Sequence, residues 1–235
     1  MGLAHSPSLV MNGLVLCLDA ANSKSYPGSG TAWTDLSGNG NNGTLVNGVG
    51  YNSGNGGTLI FDGTDDYGRV YSFDYESISN NLYSWEVWFK ILSYSPNTNP
   101  MILTNRSGVG FNDRLFVASG DNYMFWGAKN TSNQTTYARA EFAPTINQWY
   151  HFVGTMNWGN SVKMYINGQL INENYNSIWG TKRTDGGDLY IGKRADGTNQ
   201  NNAHCEISVF KWYARELNST EIQQNFNALR GRFGI

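Results

Sequence analysis

Residues 147–171 read NQWYHFVGTMNWGNSVKMYINGQLI. The segment opens with an aromatic-rich run from Trp149 to Met156, breaks at a polar stretch, and resumes from Val162 to Ile166. Val162, Met164 and Ile166 alternate with Lys163 and Tyr165, the period of a strand with one buried face. Asn167-Gly168 follows, then a further run from Gln169 to Ile171. Asn-Gly between two such runs predicts a type I′ hairpin, because both central residues of that turn need positive φ. An antiparallel β protein is therefore expected.

The rest of the chain has the same pattern. Residues 13–20 (GLVLCLDA) read as a first strand, and residues 22–55 as a polar stretch of Asn/Gly turns around short strand pieces. Residues 58–61 and 67–73 form two strands joined by Asp62-Gly63-Thr64-Asp65-Asp66. In residues 83–92 (YSWEVWFKIL), Trp85, Val87 and Phe89 alternate with Glu86, Trp88 and Lys90. Shorter candidates at 102–105, 114–118, 123–128, 136–140, 188–193 and 206–213 bring the count to about a dozen, spaced as in a sandwich. One helix is expected over 218–230. Asn218 caps it, Glu221 completes a capping box, Ile222, Phe226 and Leu229 share a face, and Gly231 closes it.

Composition limits what such a protein can do. The 235 residues suffice for one large β-sandwich, and no Pro/Ser-rich linker or repeat divides them. Charged residues are only 14 %, while 28 Gly and a heavy use of Asn favour turns over helices. A net charge of −2 gives no basic footprint for nucleic acid. No run of about 18 apolar residues exists to cross a membrane, and residues 1–13 lack a secretory h-region. Cys17 and Cys205 lie in predicted strands near opposite ends of the chain. A bridge between first and last strands and two thiols packed as small hydrophobes both remain open.

Several blocks carry a family resemblance. GLVLCLDA (13–20), DLSGNGNNGTLV (35–46), IFDGTDDY (60–67), the 149–171 hairpin and ISVFKWYARELNSTEIQQNFNAL (207–229) occur in the order of laminin G-like, concanavalin A-like jelly-roll domains. The resemblance spans nearly the whole chain. It implies an all-β, antiparallel two-sheet jelly-roll sandwich over residues 13–235 with one short C-terminal helix, preceded by an arm at 1–12. The longer text at 25–48 (SYPGSGTAWTDLSGNGNNGTLVNG) and 225–234 (NFNALRGRFG) resembles versions carried on structural proteins of tailed bacteriophages. In two places the chain departs from the pattern. CEISV (205–209) stands where members commonly have Gly-Glu-Ile-Asp-Glu, and NWG (157–159) where they often have Tyr-Asp-Gly. Both departures remove a carboxylate from a rim that holds calcium in related domains.

Candidate sites are few. Asp62, Asp65 and Asp66 offer hard oxygen ligands for Ca²⁺, but Asp and Gly in a hairpin loop are also what turn chemistry demands. Trp126, Trp158 and Trp179 stand beside Gly-containing turns, where a ring could stack on a sugar; Trp85, Trp149 and Trp212 read as core. No Glu-x-Asp-x-Glu string of the jelly-roll glucanases occurs, and His5, His151 and His204 form no metal or triad pattern, so catalysis is not expected. The resemblance implies a non-catalytic virion surface protein, a capsid decoration or fibre-associated subunit whose partners are other virion proteins. A carbohydrate-binding adhesion module is the alternative, with a glycan as ligand. Low charge, many aromatics and few edge-blunting Lys or Pro residues predict a homo-oligomer, a trimer or dimer.

Overall fold

The computed structural model describes residues 7–73, 81–94, 99–107, 110–118, 122–174, 179–182, 187–195 and 201–235. In chain order the strands are β1 (Leu14–Asp19), β2 (Ala32–Trp33), β3 (Gly43–Val46), β4 (Gly50–Asn52), β5 (Thr58–Asp62), β6 (Tyr67–Phe73), β7 (Leu82–Ser93) and β8 (Met101–Ser107). They continue as β9 (Gly110–Ala118), β10 (Tyr123–Lys129), β11 (Thr135–Ala140), β12 (Trp149–Asn157), β13 (Ser161–Ile166), β14 (Gln169–Asn174), β15 (Gly187–Ile191) and β16 (His204–Tyr213). One helix, α1 (Ser219–Phe233), ends the chain.

The strands form two antiparallel sheets. Sheet A runs β14-β13-β12-β7-β16-β5-β4, and β1 also joins β16. That is possible because β16 is long: His204–Ile207 pair with β5 and Val209–Tyr213 with β1. Sheet B runs β11-β10-β9-β8-β15-β6-β3-β2. The Asn167-Gly168 turn has the expected positive φ at both residues, 50° and 79°.

Alternation in β7 sends Tyr83, Trp85, Val87, Phe89 and Ile91 into the core between the sheets. There Trp85 lies 4.8 Å from both Trp126 and Trp212, and Tyr83 stacks on Trp212 at 5.4 Å. Trp126 needs space from the facing sheet, and Gly154 of β12 supplies it: a Cβ there would come within 2.6 Å of the indole. Such a clash in a close-packed interior costs about 1–3 kcal/mol.

The outer face of sheet A is covered by α1. The expected capping box is present, with Asn218 Oδ1 accepting from Glu221 N and Glu221 Oε2 accepting from Asn218 N, both 3.0 Å. The helix does not end at 230, however. It continues through Gly231 to Phe233, and Gly234 is the left-handed cap at φ 72°. Gly231 costs about 1 kcal/mol in a helix interior. The extra turn persists because Phe233 stacks on Trp88 at 4.2 Å and meets Trp149 at 4.7 Å. Trp88, out of phase with the core residues of β7, also stacks on Phe226 at 5.9 Å.

A buried polar cluster lies under α1. Lys211 Nζ donates to Glu86 Oε1 at 2.7 Å, and Asn225 Nδ2 donates to Glu86 Oε2 at 2.7 Å and to Tyr213 Oη at 3.0 Å. The N-terminal segment is tied to the same place: Val10 N donates to Asn225 Oδ1 and Tyr213 Oη to Val10 O. Gln224 holds Ser8 O and Arg215 holds Asn12 O. The described part of the expected arm is therefore a strap bound to the protein's own body; residues 1–6 lie outside the described residues. Cys17 and Cys205 are free and buried, and burial pushes the Cys17 thiol up to about 12, so they act as small hydrophobes. No described helix is long and apolar enough to cross a membrane.

Candidate functional site

The aromatics singled out in the sequence separate on burial. Trp126 is fully buried in the core, which removes it from any ligand. Gly127 beside it marks no turn; both lie in mid-strand β10. Trp158 and Trp179 are half-buried and packed against the core, edge to face at 5.4 Å, with Trp158 Nε1 donating to Gly180 O at 3.2 Å.

Asp62, Asp65 and Asp66 do come together, with carboxylate oxygens within 4.8 Å of one another. Asp62 Oδ1 accepts from Thr64 N at 2.7 Å and Asp65 N at 3.3 Å. Burial opposes its ionisation, but the backbone N–H groups of residues 64–66 outweigh that and lower its pKa. Asp66 is buried, and burial together with the charges of Asp62 and Asp65 raises its pKa to about 6. Two loop carbonyls are engaged by asparagines, Thr64 O by Asn202 and Asp65 O by Asn47. Three carboxylates reach the six to eight oxygens of Ca²⁺ only with bidentate ligation or added waters, and each of the two loop carbonyls already accepts one hydrogen bond. The residues fit a turn better than a closed calcium site. Asp35 and Asp19 are also structural: Asp35 accepts from Cys17 N, Ser37 N and Asn41 N, and Asp19 from Ala21 N and Arg232.

The outer face of sheet B carries what the sequence reading missed. No described helix covers it. Alternation in β9, β10 and β11 places Arg114, Phe116, Tyr123, Phe125, Thr135, Tyr137 and Arg139 there. Register brings them together, with Phe125 opposite both Phe116 and Arg139, and Gly127 opposite Arg114 and Tyr137. The rings form a ladder: Phe116 stacks on Phe125 at 4.8 Å and Phe125 on Tyr137 at 4.9 Å. Two guanidinium groups lie over it, Arg114 4.8 Å from the Phe125 centroid and Arg139 4.0 Å from that of Tyr123. Burial lowers the Arg114 pKa to about 10, the like charge of Arg194 adding to this and Tyr123 opposing it, so the group stays protonated at neutral pH. Between these side chains is a cleft of about 250 Å³. Tyr137 remains 40 % exposed at its edge.

A second groove, about 360 Å³, lies beside the start of α1 and is lined by Lys163, Tyr165, Glu216 and Asn218. Lys163 Nζ sits 2.8 Å from Glu216 and 3.2 Å from Glu173. Burial opposes its charge, but the two carboxylates raise its pKa. Glycoside hydrolysis needs two carboxylates flanking an open sugar site; here the ammonium fills the space between them. Among the described residues lining this groove Tyr165 is the one ring, and Asn218 is used by the helix cap.

A sandwich of two antiparallel sheets, one backed by a terminal helix and the other presenting an aromatic cleft, defines a lectin-like jelly roll. The chain belongs to the Concanavalin A-like lectin/glucanases superfamily, whose profile matches residues 61–223. No protein of curated function matches it. Among solved structures it is similar to the receptor binding domain of botulinum neurotoxin C/D mosaic serotype (TM-score 0.73, 18 % identity, covering 92 % of this chain and 51 % of that one). It is likewise similar to the binding domain of Paraclostridial Mosquitocidal Protein 1 (0.72, 18 %, 92 % and 52 %). A third is the botulinum neurotoxin serotype D ligand binding domain in complex with N-acetylneuraminic acid (0.70, 16 %, 92 % and 51 %). The chain spans about half the length of these structures. At such identity the likeness shows the fold.

Proposed function

We propose that the protein is a non-catalytic glycan-binding module that holds its ligand in the cleft on the outer face of sheet B. One observation carries this: a stacked ring ladder ending in the exposed Tyr137, with Thr135 and two guanidinium groups beside it. Aromatic surface for a pyranose face and a few placed polar groups for its hydroxyls are the usual make-up of such sites. The superfamily and a neighbour captured with N-acetylneuraminic acid support the reading. Filling of the Glu173–Glu216 gap by Lys163 supports the absence of hydrolysis.

The assembly proposed to carry the module is the surface of a tailed-phage virion, as a decoration or fibre-associated subunit that contacts other virion proteins and copies of itself. Support for this is the Asn/Gly-rich text at 25–48 and its partner at 225–234. A glycan array probed with the purified chain is expected to give discrete binding, lost in Tyr137→Ala at unchanged melting temperature. An array without signal overturns the glycan reading. Mass spectrometry of purified particles tests the virion reading separately, and absence of this chain from them ends it.

A further inference from the structure

Arg139 already holds a carboxylate. Its Nη2 donates to Glu141 Oε2 at 3.2 Å, and its Nε lies 2.9 Å from Glu141 Oε1 as an ion-pair contact without hydrogen-bond alignment, beside the cleft that Arg139 lines. The Glu141 side chain is 75 % exposed and that of Arg139 40 %, so solvent screens the pair and it contributes little to stability. The guanidinium itself is fixed by its seat on Tyr123. A planar fork held in place has lost its rotamer freedom before a ligand arrives, and forks of this kind match carboxylates. Arg114, the second cation of the cleft, is held the same way over Phe116 at 5.2 Å and Phe125 at 4.8 Å.

We infer that the cleft selects carboxylate-bearing sugars, such as uronates, and that Glu141 is an internal stand-in which the ligand's carboxylate displaces from Arg139. This inference rests on the glycan reading above and names the class of sugar. In the bound state the carboxylate takes the fork of Arg139, the ring lies against Tyr137, and Arg114 adds the second positive charge. Glu141 turns into solvent, at small cost because it is already exposed. The stand-in has a use: without ligand it neutralises an exposed cation.

The test is isothermal titration with a trigalacturonate and with the same trisaccharide after carboxyl reduction. The native protein is expected to bind the acid and to bind the reduced form about ten- to a hundredfold more weakly, the range for a hydrogen-bonded charged group. Arg139→Gln is expected to erase that preference. Glu141→Gln, which removes the competitor and keeps the shape, is expected to tighten acid binding several-fold and leave the reduced form unchanged. Equal affinity for acid and reduced forms, or weaker acid binding by Glu141→Gln, overturns the inference. If both forms bind equally and Tyr137→Ala abolishes both, the glycan reading stands and the acidic class falls. If folded protein binds neither form and gives no signal on the array, both fall. A sulfated neutral trisaccharide bound as tightly as the uronate overturns the carboxylate assignment.

Discussion

Asp66 shows how one side chain links a turn to pH. Its pKa in the folded protein is raised to about 6 by burial and by Asp62 and Asp65. A carboxyl raised on folding contributes stability below its unfolded pKa, and that contribution is lost as pH rises through the folded value. At pH 7 the ionised group therefore costs stability, about 1 kcal/mol once solvent screening is allowed for. Asp66→Asn is expected to raise the melting temperature by about 2–4 °C at pH 7 and to change little at pH 4. Excess chelator is expected to leave the native melting curve unchanged. Loss of stability in Asp66→Asn together with a chelator-sensitive melt would show that a cation occupies the loop. Glu86 and His151 act in the opposite direction. Burial disfavours the charge of Glu86, but Lys211 outweighs it and holds the pKa well below the usual range; burial lowers that of His151. Both depressed groups stabilise at neutral pH, His151 losing its share as pH falls below about 6.5 and Glu86 only in strong acid. At this scale the sequence was legible for the aspartates, whose turn chemistry is local. It misled at Trp126, because a glycine next to a tryptophan reads alike in a turn and in a strand that must approach its neighbour closely.

Helix α1 illustrates what tertiary contact adds to local signals. Its start was legible in Asn218 and Glu221, which bond to each other's backbone. Its end was not, because Gly231 is a local stop signal and what overrides it is Phe233 meeting Trp88 and Trp149, residues far away in sequence. The helix also closes the buried cluster around Glu86, so loosening it exposes more than its own apolar face. Phe226→Ala removes a buried ring stacked on Trp88 and is expected to cost about 3–5 kcal/mol, read as a shift in the denaturation midpoint. A cost below about 1 kcal/mol would show that α1 contributes little to the sandwich. The strands were legible nearly throughout, from alternation and from Asn and Gly at their ends. The cleft was not. It depends on which strands lie side by side, and β9, β10 and β11 present a ring ladder only once their register is fixed.

For the whole molecule, the sheet edges govern association. Sheet A ends in β14, the short β4 and β1, whose outer edge is bonded at Cys17 by Asp35 Oδ1 and Leu36 N, and sheet B in β11 and the two-residue β2. The β11 edge is bonded by its own chain: Asn174 Nδ2 donates to Tyr137 O at 2.9 Å, and Arg139 N to Asn172 Oδ1 at 3.4 Å. Short strands and bonded edges are ways of preventing strand addition. That leaves β14, where Leu170 and Ile171 are exposed, as the edge at which the expected self-association would occur. Light scattering at micromolar concentration is expected to give a multiple of 26.1 kDa, reduced to the single-chain mass by Leu170→Glu. A native chain that stays at 26.1 kDa contradicts the expectation.

Whether sheet B's outer face holds a glycan is decided by a residue-resolved NMR titration. The titrant is an oligosaccharide selected on the array. Saturable shifts are expected on Tyr123, Phe125, Thr135, Tyr137 and Arg139, with the core around Trp85 and Trp126 unmoved. Shifts confined to the Trp158–Trp179 rim or to the groove at Lys163, with the cleft silent at saturation, would contradict it.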